Sequence, residues 1–146
     1  MGDGHAQARR KTFRLTPPTV LEHPLQQQIT KLLTVEIAPP GKVSKHGVVW
    51  FSIDHANYAG EVPGIRIGRG IVAGIPDTFV LHRGRTFFIE IKTEAGELST
   101  EQESVATAIL VGGGRVGVAR SAEEVLACLD EWDVPRHRRT TLLTQR

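Results

Sequence analysis

The chain has 146 residues, a hydrophobic fraction of 40% and a formal net charge of +2, with a sequence pI of about 9.0. This length predicts one domain, and the apolar fraction is sufficient for a core. The single cysteine, Cys128, excludes an internal disulfide framework, and the small net charge alone does not indicate a nucleic-acid partner. No apolar run is long enough to cross a membrane and the N-terminus lacks the features of a signal peptide, so we expect an intracellular, cytoplasmic protein.

The N-terminal segment, 1–18, is polar, carries a cluster of basic side chains and ends in Pro17-Pro18. Such a segment is typical of a flexible, solvated arm, and it could also contact phosphate groups. The folded domain is therefore predicted to span 19–134. A basic tail, 135–146, follows it and is expected to be solvated.

The first predicted element is a helix from Thr19 to Leu33, because apolar residues recur there at helical spacing. Thr19 and Glu22 fit a capping box, which gives Glu22 a structural explanation at the helix N-terminus. Pro24 is compatible only with a first turn, so the helix could instead begin nearer His23.

A basic loop, 36–47, follows the helix and contains Lys42 and Lys45, and a strand is predicted from Val48 to Ile53. The next segment, 54–73, is rich in glycine. Long segments without regular structure in compact domains are often functional. The glycines are too irregularly spaced for a dinucleotide-binding fingerprint, and no phosphate-binding P-loop motif is present.

Two apolar runs, Thr78–Leu81 and Thr86–Ile91, flank a short basic turn and predict a β-hairpin. Centring the turn on Arg83-Gly84 sets the register, and this register places Asp77 directly opposite Glu90. Lys92 lies two residues beyond Glu90 and therefore on the same face of the strand.

An apolar hairpin that ends in Asp77, Glu90 and Lys92 departs from its own pattern, and such departures are expected at functional sites. Opposed like charges destabilise a sheet, and a divalent cation between the carboxylates would remove the repulsion. The alternative is a surface hairpin with a solvated polar end. The second strand is apolar on both faces and such strands are usually interior, which supports the first interpretation but leaves both open.

After the hairpin, Ser99 and Gln102 form a capping box that begins a helix ending near Val111. Val105, Ile109 and Leu110 form the apolar side of this helix, and three glycines, 112–114, end it. Capping alone explains Gln102.

The last strand is predicted from Arg115 to Ala119, and Ser121 and Glu124 form a second capping box for a helix that ends at Trp132. The predicted order is helix, three strands, helix, strand, helix. This order predicts an α/β fold with a mixed sheet flanked by helices and a right-handed parallel crossover after the hairpin.

Four motifs occur in a fixed order: Gly74-Ile75-Pro76-Asp77, Ile89-Glu90-Ile91-Lys92-Thr93, Gly96-Glu97-Leu98-Ser99-Thr100-Glu101-Gln102 and Gly113-Gly114-Arg115-Val116. In this order they resemble the VRR-NUC branch of the PD-(D/E)xK nucleases, over roughly Glu22 to Trp132. The D…ExK signature alone is weak, and the ordered set is more specific. The resemblance implies a restriction endonuclease-like core and the hydrolysis of DNA phosphodiester bonds.

The resemblance also implies site residues. Asp77, Glu90 and Lys92 would be catalytic, and Gln102 would lie near a metal-bound water. The metal ligands would be Asp77, Glu90, the backbone of Ile91 and, from the first helix, Glu22. Carboxylate and backbone oxygens suit Mg²⁺ or Mn²⁺ better than Zn²⁺. Lys92 would orient the water, stabilise the transition state or act as a base.

In the resembled family the glycine-rich segment lies beside the active site, which favours DNA contact by Asn57, Arg66 and Arg69. Lys42 and Lys45 add positive charge to the neighbouring loop. The three glutamines at 26–28 are expected on the exposed face of the first helix or along the DNA groove.

Stand-alone proteins of this size in the resembled family look like homodimers that cut branched DNA, including four-way junctions. Two identical sites related by a two-fold axis would match the symmetry of such a substrate. Trp50, Trp132 or the exposed side of the first helix could form the interface. The alternatives are a monomeric nickase or end-processing nuclease, a catalytically idle binding domain on the same fold, and a small ligand-binding module.

Overall fold

A computed structural model describes residues 19–53 and 70–137. For residues 19–22 it describes the backbone but not the side chains. Over these residues the predicted order of elements is confirmed. In chain order they are α1 (Thr19–Glu36), β1 (Val48–Ser52), β2 (Thr78–His82), β3 (Arg85–Ile91), α2 (Thr100–Val111), β4 (Arg115–Ala119) and α3 (Ala122–Glu131). No helix in the described ranges is both long enough and apolar enough to span a bilayer.

Helix α1 begins at Thr19 and runs to Glu36, so the predicted end at Leu33 was too early. Pro24 lies inside the helix, so the predicted start at Thr19 is confirmed and the alternative start nearer His23 is wrong. A proline removes one backbone hydrogen bond from a helix interior. The helix continues through it because the following turns bury Ile29 and Leu33 against the sheet, and such packing outweighs local propensity.

The four strands form one mixed sheet in the order β1-β2-β3-β4. The first two pairs are antiparallel, and β3 pairs with β4 in parallel. The hairpin pairs Thr78 with Ile89, as predicted, and each strand extends one residue further toward the turn. Arg83 and Gly84 form that turn with φ values of 50° and 74°, a combination typical of a two-residue type I′ turn.

The sheet has one covered face and one largely open face. Helices α1 and α3 cover the first face, and the buried residues there include Ile29, Leu33, Val80, Phe87, Ile89, Val125 and Leu129. The opposite face carries the contacting rings of Phe51, Phe79 and Phe88, and Phe51 is 41% exposed. Helix α2 packs near β4 on this side without burying any of its own residues, and Leu110, predicted to face inward, is 50% exposed.

Both tryptophans belong to the core, which contradicts their prediction as interface residues. Trp50 is 1% exposed and donates from its ring nitrogen to the carbonyl of Ala38 at 2.7 Å. Trp132 is 8% exposed and stacks on Phe87 with ring centroids 5.1 Å apart. Side chains held in this way are not available to a second protomer.

Arg136 was predicted in a solvated tail, and the structure instead attaches it to the domain. Its guanidinium lies 2.9 Å from a carboxylate oxygen of Glu36 and 2.8 Å from one of Asp130. The backbone N–H of His137 donates to the carbonyl of Glu36. These bonds join the chain after α3 to the end of α1, so the packed structure extends beyond Val134.

Candidate metal and active site

Asp77 is held at the point where the glycine-containing turn 74–76 enters β2. Its backbone carbonyl accepts from the N–H of Ile53 at 2.7 Å, which continues the sheet by one position. Its Oδ2 accepts from the N–H of Ile91 at 2.8 Å, and its Oδ1 accepts from Nε2 of Gln26 at 3.3 Å. Donors from β3 and α1 therefore fix both carboxylate oxygens.

Glu90 is the buried acid of the pair, with 4% of its surface exposed. Its Oε1 accepts from Nε2 of Gln102 at 2.6 Å and lies 3.5 Å from the ammonium of Lys92. The side chain of Lys92 is itself only 12% exposed. A buried carboxylate is costly unless it is paired and hydrogen-bonded, and here it has both kinds of partner.

Gln102 connects the site to the helix cap. Its N–H donates to the hydroxyl of Ser99, and its side-chain oxygen accepts from the N–H of Ser99 at 2.9 Å, which is the predicted capping box. Because the oxygen is used in the cap, the amide nitrogen is directed toward Glu90.

The second predicted capping box, at the start of α3, forms only in part. The carboxylate of Glu124 accepts from the N–H of Arg120 instead of that of Ser121.

Gly74 brings the start of α2 against the turn that precedes Asp77. It adopts φ of +90°, and a Cβ at this position would overlap the backbone of Glu101 and Gln102. A residue with a side chain is therefore excluded by conformation and by space. This close approach sets the distance between Gln102 and Glu90.

The two carboxylates do not require a cation to occupy these positions. Their expected repulsion is offset by the donors that each receives, from Gln26 and the N–H of Ile91 on one side and from Gln102 and Lys92 on the other. Repulsion between the two acids therefore does not by itself indicate a bound cation, and a metal is supported instead by the chemistry of the donor set.

The donor set fits Mg²⁺ or Mn²⁺. Within 23–53 and 70–137 no three His, Cys, Asp or Glu side chains converge on one point, so these residues do not form an all-protein cage. Mg²⁺ does not need one, because it keeps several waters and binds through one or two carboxylates together with substrate oxygens. Asp77 and Glu90 would hold such an ion, with the backbone oxygen of Ile91 beside them.

Of the remaining predicted residues, the structure describes Lys42 and Lys45. Lys42 and Lys45 are exposed on the loop before β1, and the start of β1 pairs with the turn end of β2. At about 3.3 Å per residue the start of β1, next to Lys45, lies roughly 15 Å from Asp77. Lys42 lies nearer the middle of β1, because the N–H of the preceding Gly41 donates to the carbonyl of Trp50 at 2.8 Å. Asn57, Arg66 and Arg69, and the side chain of Glu22, lie outside the described residues.

Gln26 is the site residue that the sequence did not single out. It was grouped with its neighbours as exposed or groove-lining, and the structure places Gln27 and Gln28 in solvent but Gln26 against Asp77. The available signal was its spacing, since Gln26 precedes the buried Ile29 by three residues and the buried Leu33 by seven. A polar residue on a buried helical stripe is a departure from pattern of the same kind as Glu90.

All three helices begin at the end of the sheet that carries the site. Helix N-termini bear partial positive charge, and exposed acids occupy the first turns of α2 and α3 and the neighbouring loops. The exposed acids at this end are Glu94, Glu97, Glu101, Glu103, Glu123 and Glu124. A polyanion would therefore be repelled from the side formed by the starts of α2 and α3.

Comparison with known proteins adds no relative. Neither the scan against protein-family models nor the search of curated proteins found a match to this chain. The assignment of a function therefore rests on the ordered motifs and on the geometry of the site.

Proposed function

We propose that the chain is a Mg²⁺- or Mn²⁺-dependent DNA phosphodiesterase of the VRR-NUC type, built on a restriction endonuclease-like core. The observation that carries the proposal is the convergence of Asp77, Glu90 and Lys92 at one end of the β2–β3 hairpin. The hairpin has the register that makes the two acids neighbours, and the acids are oriented by donors from two different helices.

A bound divalent cation would polarise the phosphate and lower the pKa of a water molecule. The chain's own residues would prepare this step. Gln102 and Lys92 orient Glu90, and the N–H of Ile91 orients Asp77. Lys92 presents an ammonium beside Glu90, where it could also meet negative charge that develops on the phosphate.

The exposed acids around the starts of α2 and α3 form an acidic rim that restricts the path of the substrate. The rim consists of Glu94, Glu97, Glu101, Glu103, Glu123 and Glu124. Since exposed carboxylates surround the starts of α2 and α3, we propose that the DNA backbone approaches from the side of α1. The predicted contacts Asn57, Arg66 and Arg69 lie outside the described residues and stay predictions. Lys42 and Lys45 would reach only DNA that extends along β1.

The decisive experiment is metal-dependent nicking of supercoiled DNA by the wild type, Asp77→Ala and Glu131→Ala. Glu131 is an exposed acid at the far end of α3 and serves as the matched control. We expect nicking with Mg²⁺ or Mn²⁺ by the wild type and by Glu131→Ala, and none by Asp77→Ala or in excess EDTA. Equal nicking by Asp77→Ala and wild type would exclude this site.

We further propose a homodimer that prefers branched DNA, on the argument from matching two-fold symmetry. With Trp50 and Trp132 in the core, the exposed side of α1, where Val35 is 55% exposed, remains from the predicted interfaces. Light scattering and cleavage of matched four-way-junction and linear substrates test this. A monomer that cuts both substrates equally fast would contradict it and favour the nickase or end-processing alternative.

Because the acidic rim would repel DNA, it also favours one alternative function, a binding domain without catalysis. In that case the Glu90–Lys92 pair would be structural, and the site would bind no divalent cation. Calorimetry with Mn²⁺ separates the two functions before any substrate is chosen. Binding that Asp77→Ala removes supports the nuclease, and its absence supports the alternative.

A further inference from the structure

Gln26 and Gln102 perform equivalent tasks at the two acids. Each is a helical glutamine whose amide nitrogen donates to one oxygen of one carboxylate, from α1 to Asp77 and from α2 to Glu90. The two helices lie on opposite sides of the sheet, so the acids are fixed independently. Resemblance to the nuclease family implied a role for Gln102 but none for Gln26.

The surroundings of Gln26 make its orientation specific. Ile29, one turn further along α1, is 2% exposed and holds this part of the helix on the sheet. Between α1 and the sheet is a small cleft whose lining includes Gln26, Asp77 and the hydroxyl-bearing residues Thr30, Ser52 and Thr78. A glutamine in this cleft can donate to Asp77 while Gln27, the next residue, is in solvent.

We propose that Gln26 is a positioning residue that fixes Asp77 for metal binding. The proposal rests on the proposed function, because it assigns a metal to Asp77. The N–H of Ile91 fixes Oδ2 and the amide of Gln26 fixes Oδ1, so the two bonds together hold the carboxylate in one orientation. Without the amide the carboxylate would sample orientations in which only one acid reaches the cation. Partners of metal ligands contribute in this way to affinity.

The test replaces the amide without changing the length of the side chain or its helix propensity. Gln26→Met satisfies both conditions, and Gln27→Met is the matched control on the exposed face. Mn²⁺ affinity is measured by calorimetry for both variants, for the wild type and for Asp77→Ala. Because the hydrogen bond is 3.3 Å long, we expect Gln26→Met to weaken Mn²⁺ binding by roughly tenfold, the lower end for such partners, and Gln27→Met to leave it unchanged.

A second measurement separates positioning from general damage. At saturating Mn²⁺ the nicking rate of Gln26→Met should return to near the wild-type value, since metal excess compensates for weaker binding. Gln26→Asn, which keeps the amide but shortens its reach, should behave like Gln26→Met. Wild-type affinity in both variants, or a loss of rate that metal does not restore, would overturn the proposal. Wild-type affinity in Asp77→Ala would overturn the proposed function as well, so the two failures are distinguishable.

Discussion

At the scale of single residues, the site depends on which glutamines can rotate their amide group and so present an oxygen acceptor in place of a nitrogen donor. Gln26 can rotate its amide, whereas Gln102 cannot, because its oxygen caps Ser99. Sequence reasoning found Asp77, Glu90, Lys92 and Gln102 because they interrupt an apolar pattern or fit a capping box. It did not find the contact between Gln26 and Asp77, since these residues are 51 positions apart and only the packing of α1 brings them together.

Asp77→Asn tests this difference. The asparagine oxygen can still accept from the N–H of Ile91, and its amide can donate to a rotated Gln26. We therefore expect the free energy of unfolding to stay within about 1 kcal/mol of wild type, since each hydrogen bond is replaced and the repulsion with Glu90 is relieved. Nicking should nevertheless be lost, because one anionic ligand is gone. Urea unfolding measures the first effect, and a decrease well beyond this range would show that Gln26 does not rotate.

His82 gives a second prediction at this scale. It is 7% exposed, and neither ring nitrogen has a hydrogen-bond partner in the described part of the chain. Burial lowers the pKa of His82 below its usual 6.5, and the nearby guanidinium of Arg83 lowers this pKa further. Arg85 and the His46 ring also lower the pKa, whereas the backbone of His46 raises it. Below about pH 6.5 the unfolded chain therefore binds a proton that the folded chain does not, and stability should fall as the pH decreases.

The measurement is urea unfolding of wild type, His82→Leu and His46→Gln at about pH 7.5 and about pH 5.5. His82→Leu should lose less stability over this interval than wild type. His46→Gln changes an exposed histidine and should keep most of the wild-type pH dependence. An identical decrease in all three proteins would show that other groups cause the acid sensitivity.

At the scale of elements, local signals predicted what is local. The turn at Arg83-Gly84 fixed the hairpin register, and Ser99 marked the start of α2 within one residue. The end of α1 at Glu36 was not predictable from its own sequence, because the burial of Glu36 and its ion pair with Arg136 depend on packing against a distant segment. The docking of α2 onto the turn before Asp77 was also not predictable, since it depends on a backbone contact at Gly74.

Gly74→Ala tests that docking. The substitution combines a left-handed backbone, which costs about 1–2 kcal/mol, with an overlap against α2, which costs roughly 1–3 kcal/mol more. Gly84→Ala is the matched control, because Gly84 also has positive φ, of +74°, but has open space around its Cβ position. Urea unfolding should show a larger loss for Gly74→Ala, and equal losses would mean that α2 is not held by this contact.

At the scale of the whole molecule, the site lies where the parallel strands β3 and β4 end and where all three helices begin. Ligands of open α/β sheets usually bind beyond the carboxyl ends of the strands. The order of elements made this arrangement predictable. Ion pairs such as Arg136 with Glu36, separated by 100 positions, were not predictable, because no local pattern links the two segments.

The acidic rim gives the last prediction, which concerns the path of DNA across the molecule. Glu97 and Glu101 are exposed beside the site, so their charges should repel a phosphate backbone that approaches over α2. If DNA comes within a Debye length of them, Glu97→Gln with Glu101→Gln should raise DNA affinity several-fold at low salt, and the gain should diminish as salt screens the charges. Fluorescence anisotropy at a series of salt concentrations measures this change in affinity.

Neutralising Glu131 and Asp133, at the other end of α3, is the control and should change DNA affinity little. A gain from the control alone would place the DNA at the hairpin-turn end of the sheet, away from Asp77 and Glu90.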